Sequence, residues 1–172
     1  MINWTYFPKS DKPTHLATQV VDAFESVSQQ LDSEENKLRS NEALLVVSDK
    51  LRDIGFQVES GKKRHEIISV PVLFGLNGKV EKSFQADALH EKEGFVLEVE
   101  AGRATINHQF LKDLFQACMM HDVYYCGIAV RNIYVAAGTK NKDFEKVMTF
   151  FETMYASNRM RLPLKGILVI GY

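Results

Sequence analysis

Residues 124–130, Tyr-Tyr-Cys-Gly-Ile-Ala-Val, hold no charged side chain and do not alternate apolar with polar. Successive side chains of a strand point to opposite faces, so a strand wetted on one side alternates. One that does not alternate is buried on both faces. This segment therefore calls for a sheet with helices packed against each side.

The rest of the chain supplies those layers. Leu16, Val20, Val21, Phe24, Val27 and Leu31 recur at spacings of three and four, which predicts an amphipathic helix over 14–31 with Thr14 as its N-cap. A second helix is expected over 40–54, on Leu44, Leu45, Val47, Leu51 and Ile54, with Gly55 at its C-terminal cap. Residues 56–59 read as a short strand. Residues 67–74, 80–89 and 95–101 read as three strands of an antiparallel meander, joined by the Asn77-Gly78 turn and the 90–94 turn. A helix over 107–121, with Asn107 as its cap, then leads into the buried strand as a strand–helix–strand unit. A short strand over 133–137, a helix over 142–158 and a strand over 166–172 complete the reading. The expected fold class is α/β, a mixed central sheet flanked by helices in a single domain over residues 1–172.

Length and composition agree. A chain of 172 residues buries roughly 70% of its unfolded surface without needing a staple. Cys118 and Cys126 fall in apolar segments and read as free thiols, with no zinc spacing. The N-terminal residues do not read as a signal peptide, and no apolar run is long enough to span a bilayer, so the expectation is a cytoplasmic protein with no membrane partner. The net charge of −1 excludes a protein that coats nucleic acid by bulk charge, but not one with a local acidic site.

Such a site is visible in Phe95-Val96-Leu97-Glu98-Val99-Glu100. Glu98 and Glu100 share one face, and Phe95, Leu97 and Val99 the other. A tight turn at 91–94 sets Asp87 nearly opposite Glu98, where cross-strand Cβ atoms lie about 5 Å apart. Acidic residues beneath covering helices are rare without a purpose. Three converging carboxylates raise one another's pKa until a divalent cation relieves the repulsion. The alternative for the same residues is a solvated sheet face.

Gln85-Ala86-Asp87 followed by Glu98-Val99-Glu100 resembles the two halves of the PD-(D/E)xK motif of the restriction-endonuclease-like nuclease superfamily. The helix bearing Asn41-Glu42-Ala43-Leu44-Leu45 and the order of elements over residues 40–135 are similar as well. The resemblance implies a restriction-endonuclease-like fold and a Mg²⁺-dependent endonuclease acting on DNA, with Mn²⁺ able to substitute. Asp87, Glu98 and Glu100 would be catalytic, and Asp87, Glu98 and Glu42 would hold the metal. A homodimer is expected, because cutting both strands takes two sites. The departure is Glu100, which stands where the family keeps lysine. A glutamate there would ligate a second metal, act as general base, or mark a catalytically inactive module that binds nucleic acid or a protein partner. Lys62, Lys63 or Lys112 would supply the missing cation. Lys62, Lys63 and Arg103 are the candidates for contact with the nucleic-acid backbone. Glu42 has a second use at its helix N-terminus, where acidic residues favour the dipole. Arg131, Asn132 and Tyr134 end the buried strand, where α/β sites tend to lie.

Overall fold

The computed structural model describes residues 1–102, 104–105, 108–136 and 139–172. Strand β1 (Asn3–Phe7) precedes helices α1 (His15–Ser26), α2 (Ser28–Leu31) and α3 (Ser40–Asp53), then the short strand β2 (Gln57–Val58). A hairpin of β3 (Ile68–Phe74) and β4 (Val80–Ala86) follows, then β5 (Ala88–His90) and β6 (Phe95–Glu100). Helix α4 (Gln109–Met119) leads to β7 (Tyr125–Val130). Strands β8 (Tyr134–Ala136) and β9 (Thr139–Asn141), helix α5 (Asp143–Ser157) and β10 (Gly166–Gly171) end the chain.

The central sheet has six strands in the order β1-β10-β7-β6-β5-β2. Strands β6, β7 and β10 run parallel, with α4 and α5 as the connections. Strands β1, β5 and β2 pair antiparallel at the flanks. The expected mixed α/β sheet is thus present, and β7 lies among its inner strands, buried over Cys126–Val130. Two cores form on opposite faces. Helices α1 to α3 pack against Phe95, Leu97 and Val99 on one, while α4, α5 and the β3–β4 hairpin pack against Val96 and Ile128 on the other. Glu98 and Glu100 take the second face, as the alternation of β6 requires. Among the described residues, no helix is long and apolar enough to cross a membrane.

Two expectations are corrected. The 14–31 helix breaks at Val27, just after Ser26 turns its hydroxyl back onto the Ala23 carbonyl, a local bond that competes with helix continuation. The meander splits at Asp87, so that β3 and β4 form a separate two-stranded sheet and only β5 and β6 join the central one. Strands β1 and β9 have no counterpart in the sequence reading; β1 runs against β10. Asn107 lies outside the described residues. The Asn77-Gly78 turn holds, with positive φ of 60° and 72°, the backbone such a tight hairpin needs.

Close packing around the acidic strand rests on Gly127. It stands opposite Leu97 across the β6–β7 ladder, and a Cβ there would lie 2.6 Å from Leu97 Cδ1 and 3.0 Å from Phe95 Cε1. Gly127→Ala is expected to cost about 1–3 kcal/mol by overpacking. Urea unfolding measures it, and an unchanged midpoint would show that Leu97 and Phe95 give way freely.

Candidate functional site

Strand β6 is paired with β5 only as far as Leu97, which faces Ala88. Beyond that point the amides on the side of β6 away from β7 need other partners, because a buried unpaired N–H costs about as much as a lost hydrogen bond. Side chains supply them. Asp87 Oδ2 accepts from the Val99 amide at 2.8 Å, and Ser40 Oγ from the Ala101 amide at 2.9 Å. Asp87 also anchors its own backbone, its carbonyl accepting from the Glu59 amide at 2.8 Å. The sheet is therefore interrupted here without leaving these amides unpaired, and a cavity of about 470 Å³ opens beside the second half of β6.

Asp87, Glu98 and Glu100 all line that cavity, so the structure brings the three predicted carboxylates together. A fourth, Asp113, projects from α4. It is only 5% exposed. Its Oδ1 accepts from Gln109 Nε2 at 3.3 Å, while its Oδ2 is buried with no hydrogen-bond partner among the described residues. Asp113 escaped the sequence reading, although a local signal was there. It falls between Phe110, Leu114 and Ala117 on the buried stripe of its helix, where an acidic residue is out of place.

The electrostatics follow from burial. Desolvation pushes Asp87 up to about 6, aided by the charges of Glu59 and Asp113 and opposed by the Val99 amide and Lys112. Desolvation also raises Glu98 well above the usual carboxylate range, with Asp87, Asp113 and Glu100 adding to it. Glu100 is pushed up to about 7, by desolvation first and then by the neighbouring charges of Asp113 and Asp87. Asp113 rises to about 6 for the same first reason, with Lys112, Gln109 and Glu100 holding it down. Lys112, an exposed residue of α4, lines the cavity and is the cation that opposes the rise at Asp87, Glu100 and Asp113.

The other predicted residues lie elsewhere. Glu42 is exposed and not among the cavity's lining; its Oε2 accepts from the Arg39 amide, which ties it to the N-terminus of α3. The N-terminus of the helix thus claims this carboxylate, and the structure does not bring it together with the other three. Lys62 and Lys63 are exposed in the loop before β3 and do not line the cavity; desolvation raises the pKa of Glu59, which does line it, and Lys62 opposes that rise. Arg103 lies outside the described residues.

Among the described residues, no group of three or more His, Cys, Asp or Glu is closed around a point that would hold a metal ion. Mg²⁺ makes a smaller demand, since it usually takes one or two carboxylates and fills its octahedron with water and substrate phosphate oxygens. Asp87 and Glu98 line one cavity and offer two carboxylates of the type such an ion takes. Asp113 adds a buried oxygen without a partner among the described residues to the same cavity. No known family model matches the chain, and no characterised protein is significantly similar to it in sequence.

Proposed function

We propose that this chain is a Mg²⁺-dependent endonuclease that hydrolyses DNA phosphodiester bonds, a cytoplasmic homodimer when it cuts both strands. The observation that carries the reading is the convergence of Asp87, Glu98, Glu100 and Asp113 in one cavity, with the Asp113 Oδ2 lacking any partner among the described residues. Asp87 and Glu98 would hold the ion. When bound, Mg²⁺ would polarise the phosphoryl oxygen and offset charge that builds up on the phosphate. Glu100, raised to about 7 beside Asp113, would take a proton from the water that attacks phosphorus, while the P–O bond to the leaving oxygen breaks and that oxygen takes a proton from solvent. Lys112 faces the phosphate from α4 and replaces the cation that the motif strand lacks.

The test is nicking of supercoiled plasmid with Mg²⁺ or Mn²⁺ against a chelator control. Wild-type protein is expected to cut and Glu98→Ala to be inert; no metal-dependent cleavage of any DNA or RNA would overturn the reading. Lys112→Ala is expected to lower the rate about tenfold to a hundredfold, the worth of one electrostatic donor reduced by its exposure to solvent. An unchanged rate would place the cation elsewhere. A second reading, a catalytically inactive module of the same fold, draws on Glu100 in the lysine position and on the lack of a closed ligand cage among the described residues. It predicts no divalent binding by calorimetry.

A further inference from the structure

Beside the acidic cavity lies a basic one of about 510 Å³. The two share Ser40, Glu100 and Gln109, so they are neighbouring halves of one cleft. The second half brings together Lys37, Arg39 and Arg131, three positive charges against the single carboxylate of Glu100. Arg131 is the unusual member. It is only 7% exposed, and its Nε is buried with no hydrogen-bond partner among the described residues. Its Nη2 donates to the Leu38 carbonyl, the Tyr172 hydroxyl lies beside it, and its guanidinium sits 5.5 Å from the centre of the Tyr134 ring. Asp143 is near enough to feel its charge, yet among the described residues no carboxylate comes within 4.0 Å of it. A buried guanidinium without a paired anion is costly, and its planar fork suits phosphate oxygens.

We infer that this basic cavity seats the phosphate next to the one hydrolysed, so that a nucleic-acid strand lies across Glu100 with one phosphodiester on each side. The assignment rests on the nuclease reading for the neighbouring cavity. Arg131 binds the flanking phosphate from below and is held for that task by Leu38 and the face of Tyr134. Lys37 and Arg39, both exposed, close on it from the rim.

Isothermal titration of the full chain in millimolar Mg²⁺, which offsets the carboxylates that would otherwise repel a second phosphate, tests this, with a thymidine bisphosphate carrying phosphates on both sugar hydroxyls as the probe. It is expected to bind at one site per chain, at least tenfold tighter than inorganic phosphate. Arg131→Met and the double variant Lys37→Ala with Arg39→Ala are each expected to weaken it at least tenfold. Circular dichroism checks the fold of Arg131→Met, and the exposed pair decides the matter should that variant not fold. No binding, binding unchanged in the exposed-pair variant, or equal affinity for inorganic phosphate would each overturn the assignment. Bisphosphate binding as expected without any DNA cleavage would support the basic cavity and remove the hydrolytic reading alone. Cleavage with no bisphosphate binding would do the reverse.

Discussion

Asp87→Asn is expected to lower metal-dependent cleavage roughly a thousandfold, about 4 kcal/mol of barrier at 1.36 kcal/mol per factor of ten. The size follows from what the substitution removes and what it spares. The amide keeps an oxygen that can accept from the Val99 N–H, the bond that ends the pairing of β5 with β6. The fold therefore stands, and far-ultraviolet circular dichroism should match wild type. Lost is one of the two charged ligands that a Mg²⁺ ion would have here, and with it the several kcal/mol that a positioned Lewis acid supplies. The cleavage rate at saturating Mn²⁺ measures the effect. A variant retaining more than a tenth of wild-type activity would take Asp87 out of the site.

Glu98→Gln tests the same cluster without any substrate. Carboxyls whose folded-state pKa is raised bind protons more readily in the folded than in the unfolded chain. Their stabilising contribution is fully present below the unfolded value, near 4, and is lost as pH rises through the folded values. For Asp87 and Asp113, at about 6, and Glu100, at about 7, that window spans weakly acidic to neutral pH. Metal-free wild-type protein should therefore lose stability from the cluster between about pH 4 and 8, and Mg²⁺ should restore it. The substituted glutamine amide carries no charge to desolvate or repel. At pH 8 in chelator the variant is expected to melt about 5 °C above wild type, corresponding to about 2 kcal/mol in a chain of this length. The gap should narrow at about pH 5, and millimolar Mg²⁺ should raise the wild-type midpoint but not that of the variant. A less stable variant at pH 8, or equal Mg²⁺ shifts in both proteins, would show that Glu98 is not a strained member of a cation site.

The parts of this architecture that depend on short-range periodicity could be read from the chain. The apolar run at 124–130 announces an inner strand, and α3, at Ser40–Asp53, falls within a residue of its expected bounds because its stripe and Gly55 mark both. The shared face of Glu98 and Glu100, and Asp87 one step beyond the Ala88–Leu97 pair, follow from strand alternation and turn length. What could not be read depends on competition between partners far apart in sequence. Nothing local says that β4 leaves the central sheet at Asp87, because the alternative partner for Val99 is a side chain twelve residues away. The family resemblance assigned Glu42 to a metal, whereas an amide three residues away claims it first. Asp113 was visible as an acidic interruption of an apolar stripe, but its meaning depends on β6 lying opposite. Arg131 reads as an ordinary strand-end arginine until its burial is known.

A central strand that loses its neighbour halfway along presents a row of free donors and acceptors, the kind of template on which another chain can add a strand. Asp87 and Ser40 occupy two of those donors with side chains too short and too polar to continue a ladder. The residue proposed to hold the cation would thus also deny one of those donors to a strand added from another chain. Selection at position 87 would then act on solubility as well as on chemistry, and only a side chain that accepts a hydrogen bond there while keeping a second oxygen free can serve both.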